Sequence, residues 1–170
     1  PHLNGLDYAL EEENISANTS IVKGVAPSNV GQNLESYANQ GQDIVFACSQ
    51  TYSQQVQQIA PEYPETVFEL MNGWVTQDPN VGSTHIKMEQ PSYLAGVAAG
   101  LLTENNQLGW VGGVPIPQTF MRLNAFANGV RTVNPEATVT ASRVGAFYDP
   151  PRERQIANTL LDQGVDVLAT

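Results

Sequence analysis

Apolar positions along this chain follow two periods in turn, one of about 3.6 residues and one of two, the periods of helices and strands. His2 to Glu13 reads as a helix on the spacing of Leu3, Leu6, Tyr8 and Leu10, ending near Asn14. Ile21 to Val25 reads as a strand. The next helix is predicted from Ser28, a residue suited to cap its first turn, to Asn39, with Gly41 as its stop. Asp43 to Cys48 predicts a short buried strand, Tyr52 to Ile59 a helix closed by Pro61 and Pro64, and Val67 to Leu70 a strand. Val81 to Met88 predicts another strand, followed by a helix over Pro91 to Thr103, a strand over Leu108 to Val111 and a helix over Gln118 to Arg131. Thr138 to Val144, Arg152 to Gln163 and Val165 to Leu168 complete the series as strand, helix and strand.

Alternation of this kind favours a parallel, doubly wound α/β sheet. Two joints match in kind, NQGQDIVF at 39–46 and LDQGVDVL at 161–168: a helix end, a glycine stop, an aspartate and an apolar strand. That is the helix-to-strand joint of a parallel sheet. The loop TQDPNV at 76–81 interrupts the pattern, and the sheet restarts after Met88-Glu89. Two lobes are therefore expected, residues 1–88 and 89–170, with a ligand cleft between them and a hinge that closes it.

The most informative stretch is YLAGVAAGLLTENNQLGWVGGVPIP at 93–117. A small-residue helix leads through a polar turn into a strand that ends in Gly112-Gly113, Val114 and the loop Pro115-Ile116-Pro117. Loops at the carboxyl ends of such strands face the ligand crevice, and glycines there let backbone approach a ligand closely. The other strand-end loops are Ser49 to Tyr52, Met71 to Trp74 and Gly145 to Pro150. They carry Tyr52, Trp74, Phe147 and Tyr148, aromatic faces suited to a planar ligand, with Ser49, Gln50 and Asn72 as orienting polar groups. Any one of these aromatics is equally explained by packing at a loop base; their recurrence at three of the four strand ends argues for a pocket. Arg122, on the helix after Pro117, faces either the cleft or solvent.

Composition narrows the function. Of 170 residues, 17 are acidic and 7 basic, a formal charge of −10, which argues against a nucleic-acid partner because phosphate binding needs clustered Lys and Arg. A saline habitat is one source of such acidity. The lone Cys48 excludes an internal disulfide and a CxxC metal site, and is expected to be a small buried residue at a strand end. No apolar run approaches the roughly 20 residues of a membrane span, and no signal-peptide pattern is present. The chain starts in a helix-like pattern at a proline and stops just after a strand-like one, so an internal fragment is expected.

Enzyme chemistry finds no foothold. His85, in the alternating segment STHIKM, has no nucleophile context and reads as a surface or edge-strand histidine. Glu11 to Glu13 read as a solvated helix end. Gly112-Gly113 is not a dinucleotide fingerprint, no phosphate loop exists, and no cofactor or metal is expected.

The 93–117 stretch, NAFANGVRTVNPEATV and GAFYDPPRERQIANTLLDQGVDVL together resemble the basic membrane protein family, substrate-binding lipoproteins of ABC transporters that take up nucleosides and purines. GQDIVFACSQTYSQQVQQIAPEYPETVFELMNG is similar to that family's segment from its third strand to the hinge, so the likeness covers nearly the whole chain. The resemblance implies a type I periplasmic-binding fold of two Rossmann-like lobes. Phe147 matches an aromatic that stacks on the purine, and Asn72 a position that is often an aspartate hydrogen-bonded to the base. Asparagine keeps the carbonyl acceptor and loses the charge, so base preference is expected to differ. Tyr52 stands where another aromatic is common, and Trp74, Tyr148, Ser49 and Val114 join the expected ligand contacts by loop position. The family's first strand, and the later strands that contribute an acid and a lysine to the sugar, have no counterpart here. The resemblance further implies a periplasmic or cell-surface location, a lipid anchor outside this chain and a membrane permease as partner. The leading expectation is thus uptake of a purine nucleoside or nucleobase. The alternatives are a ligand-sensing domain of the same fold, binding of a sugar or other small solute, and an enzyme of doubly wound type.

Overall fold

A computed structural model describes residues 2–13 and 15–170, without the side chains of His2 and Leu3. The described strands form two sheets, both entirely parallel, with strand orders β1-β2-β3 and β5-β4-β6. Packing divides the residues into two compact units, one running to Ile86 and the other from Lys87 to Thr170.

The first unit comprises helix α1 (His2–Glu11), α2 (Val30–Asn39), β1 (Ile44–Ala47), α3 (Ser53–Ile59), β2 (Val67–Met71) and β3 (Val81–Thr84). Val45 and Ala47 of β1 lie opposite Phe68 and Leu70 of β2, so alternate residues of both strands share one face. That face meets Val30, Leu34 and Ala38 of α2 and Val56 and Ile59 of α3 in one buried cluster. The helix α2 stops where Gly41 takes a left-handed φ of 75°, as its sequence requires. Buried Asn80 ties the unit together: its Nδ2 donates to the carbonyls of Ala60, Tyr63 and Thr66 at 2.9, 2.8 and 2.8 Å.

Five expectations need correction in this unit, the first being the strand expected over Val81 to Met88, which ends at Thr84 where its pairing with β2 stops. Ile21–Val25 is extended but forms no strand: Ile21 and Val22 are exposed, and only Val25 packs against the core. β-branched residues become a strand when a ladder partner meets them, and none does so here among the described residues. Ser28 does not cap α2; it sits inside a 3-10 turn, Pro27–Asn29, where its hydroxyl donates to Asn29 Oδ1 at 3.1 Å. The strand DIVFAC is buried on one face only, since Ile44 and Phe46 point away from the helices and are exposed. Cys48 lies just beyond β1 and is exposed, with partial desolvation raising its thiol above the ordinary value. The expected end of the first helix near Asn14 lies outside the described residues.

The second unit comprises α4 (Glu89–Leu102), β4 (Gln107–Gly112), α5 (Pro117–Val133), β5 (Thr138–Arg143), α6 (Pro150–Asp162) and β6 (Val167–Ala169). Here the sheet is covered on both faces. Leu108 and Trp110 of the central β4 pack with Ala99, Phe126 and Val130 of α4 and α5, whereas Val111 packs with Leu160 and Ile156 of α6. Gly109 is required on the α6 side, where a methyl group would stand 2.6 Å from Leu168 Cδ2. The helices α4 and α5 come close enough that a methyl at Gly96 would overlap the Phe126 carbonyl, and one at Gly129 the Tyr93 carbonyl.

Both αβ joints appear where the sequence places them, but they work differently. Asp166, before β6, accepts Thr103 Oγ1 at 2.7 Å and the backbone N–H groups of Glu104 and Asn105 at 2.6 and 3.0 Å. The Thr103 hydroxyl leads these donors in holding the carboxyl below its usual range. Asp43, its counterpart before β1, contributes its carbonyl to Val67 N–H at 2.9 Å.

Candidate functional site

Parallel sheets expose one end where all strands finish, and the ligand-contact candidates belong there. In the first unit this end gathers Ser49, Tyr52, Asn72, Trp74 and His85. Ser49 is committed to its own turn: its Oγ accepts Thr51 N–H at 3.3 Å and lies 2.8 Å from Thr51 Oγ1. Tyr52 is committed too, packing against the core with its hydroxyl donating to the Val25 carbonyl at 2.7 Å. Asn72 takes a left-handed φ of 58°, a conformation asparagine tolerates, and its N–H donates to the Thr84 carbonyl at 2.6 Å. Gly73 follows because a side chain would collide with Leu70 and with Ser83 Oγ. This turn sets the half-exposed Trp74 against His85, ring centroids 3.6 Å apart and tilted by 39°. The Nε2 of His85 is buried with no partner among the described residues, as is the Oε1 of Gln50. His85 escapes the sequence reading because β3 ends at Thr84, so the histidine follows the strand instead of belonging to its alternation.

In the second unit the carboxyl ends of β4, β5 and β6 surround a hollow of about 640 Å³. Backbone bonds continue past the strands, from Val144 N–H to the Gly112 carbonyl at 2.8 Å and from Gly145 N–H to the Gly113 carbonyl at 3.1 Å. Gly145 makes the turn with φ of 85°, and the chain then presents Phe147 at the hollow's edge, 69% exposed. Val114 and Arg122 line the same hollow; Tyr148, 81% exposed, does not. Asp149 closes the loop by capping α6, its Oδ1 accepting Arg152 N–H at 3.2 Å. Arg122 therefore faces the hollow, with its guanidinium 5.7 Å from the centre of the Trp110 ring. Trp110 Nε1 and Arg122 Nε are both buried without a partner among the described residues. The sequence shows both residues but not their meeting, because the contact joins the middle of β4 to the second turn of α5.

The structure thus gathers Val114, Phe147 and Arg122 in one unit and Ser49, Tyr52, Asn72 and Trp74 in the other. No group of three or more His, Cys, Asp or Glu side chains suits a metal ion among the described residues, and no described helix is long and apolar enough to cross a membrane.

The family model for PnrA-like substrate-binding proteins of ABC transporters, Bmp, matches residues 2–170. The chain belongs to this family. A Haloferax volcanii protein with the provisional name ABC transporter glucose-binding protein TsgA13 is 40% identical over 161 residues, 95% of this chain and 41% of its own length. The purine-binding protein BAB2_0673 of Brucella abortus is 28% identical over 151 residues, 88% of this chain and 43% of its own length. The chain thus spans less than half the length of these Bmp relatives. Among solved structures, an ABC transporter solute-binding protein from Aeropyrum pernix shares the fold with a TM-score of 0.82 at 22% identity, over 96% of this chain and 48% of its own. A family of binding proteins accords with a sequence that carries no enzyme signature.

Proposed function

We propose that the protein carrying this chain is an extracytoplasmic substrate-binding protein that delivers a purine nucleoside or nucleobase to an ABC transporter permease. The observation that carries the ligand class is Phe147: a phenyl ring left largely in water beside a hollow at the end of a parallel sheet. Exposing such a ring forgoes the stabilisation of burial, and a planar base that stacks on it recovers that contact. Binding would drive uptake by stabilising whichever state the ligand prefers, in proportion to its differential affinity.

A second reading is a sugar ligand, favoured by the 40% identity to a relative whose name points to glucose. Calorimetric titration of adenosine, guanosine, inosine, adenine and glucose into the full-length protein separates the two. Saturable binding of a purine with glucose inert supports the purine reading. Glucose binding with every purine inert overturns it in favour of the sugar, and a folded protein that binds none contradicts both.

A further inference from the structure

The hollow of the second unit is lined by two cations, Arg122 and Arg154, of which Arg122 lies over Trp110. The guanidinium of Arg122 offers a planar fork of N–H donors. Among the described residues the fork meets the Thr170 carbonyl, which Nη2 reaches at 3.2 Å, while Nε is buried without an acceptor. Trp110, below it, is buried with Nε1 also unpaired. Buried donors are normally satisfied by protein, water or ligand, so two of them in one lining ask for an acceptor.

The rest of the lining describes that acceptor. Gln118 and Thr119 can donate or accept, Glu153 can accept and Arg154 can donate. The wall carries charge of both signs, and its helix starts offer few backbone donors. Pro117 opens α5, and Pro150 and Pro151 open α6, so these positions provide no N–H. Nearby, Thr119 N–H goes to the Ile116 carbonyl at 3.0 Å, Arg152 N–H to Asp149 Oδ1 at 3.2 Å and Glu153 N–H to the Asp149 carbonyl at 2.9 Å. A phosphate would meet the Glu153 carboxylate there as well as the Arg122 and Arg154 cations. Donors and acceptors side by side, next to the aromatic faces of Trp110 and Phe147, fit a ring bearing adjacent hydroxyls. Each hydroxyl both donates and accepts, and the ring's C–H face packs on an aromatic.

We infer that Arg122 is a specificity-determining residue of this hollow, which gives its guanidinium N–H groups to adjacent hydroxyls of a sugar ring. The ring is the ribose of a nucleoside or a free hexose. This rests on the binding-protein reading above and makes hydroxyl recognition, beyond base stacking, a property of the second unit.

The test titrates adenosine, adenine, adenosine monophosphate and glucose into the full-length wild type, Arg122→Met and Arg122→Lys. Methionine keeps an unbranched stem over Trp110 and removes the donors; lysine keeps the charge and loses the fork. The near-UV circular dichroism of each variant reports whether its aromatic packing is intact. For whichever hydroxylated ligand the wild type binds, Arg122→Met is expected to weaken affinity by about tenfold or more, with adenine unchanged. Arg122→Lys is expected to recover little of the loss. Equal weakening of adenosine and adenine, or no weakening of either, overturns the assignment while leaving the binding-protein reading in place. Tighter binding of the monophosphate than of adenosine, lost in Arg122→Met, also overturns it, in favour of an anion site. A folded wild type that binds nothing in the panel overturns the functional reading, and this inference with it.

Discussion

Asn80 is one of few buried polar side chains, and its amide holds three carbonyls from the segment that leads into β2. Replacing it with alanine leaves those carbonyls to find other partners, and Asn80→Ala should lower the unfolding free energy by about 1–3 kcal/mol in denaturant titration. Asp166 acts instead through ionisation. Its carboxyl is held low by the Thr103 hydroxyl and two backbone N–H groups, so its contribution is present above the unfolded-state carboxylate range. That contribution disappears as pH falls through the lowered native value. Asp166→Asn should therefore melt below wild type at neutral pH, and the gap should close as the buffer is acidified through the carboxylate range; a gap constant with pH would contradict this role. These roles differ in how far the sequence reveals them. Asp166 stands at a recognisable joint, but its partners Thr103 to Asn105 are about sixty positions away. Asn80 falls in a stretch whose polarity reads as loop. Phe147 was legible as a candidate from its strand-end position and family likeness, whereas Arg122 required the fold to bring α5 over Trp110.

The helix α4 shows how composition becomes packing. Its glycines lower intrinsic helix propensity, yet Gly96 and Gly100 sit where α5 approaches, with Gly129 answering from the other helix. A methyl at Gly96 has nowhere to go because the obstacle is backbone. Gly96→Ala should destabilise the protein by about 1–3 kcal/mol or more, through helix displacement, measured by thermal or denaturant unfolding. Stability equal to wild type would mean that α4 and α5 can separate at little cost. Most elements were legible because helix and strand periods differ and glycine or proline marks their ends. The exceptions have a shared cause: whether Ile21–Val25 pairs, whether β1 is covered on both faces, and where β3 stops depend on neighbours distant in sequence. Periodicity reports a residue's preference, and the ladder decides whether it is met. The same limit hid His85, one position past the last paired residue of β3.

For the molecule, a charge of −10 disfavours a polyanionic partner. The chain belongs to the Bmp family of PnrA-like substrate-binding proteins, and the proposed solute rests on the residues at the strand ends. Relatives named for a purine and for glucose show that the Bmp frame carries names for more than one kind of ligand. The two hollow-lining residues are proposed to divide the question between them, Phe147 for the base and Arg122 for the hydroxyls. The most direct measurement is the calorimetric affinity of the best-binding purine for the full-length wild type and for Phe147→Ala. Stacking on Phe147 predicts a loss on the order of 1–3 kcal/mol in the variant. Unchanged affinity in a folded Phe147→Ala protein would contradict the assignment of this ring to the purine.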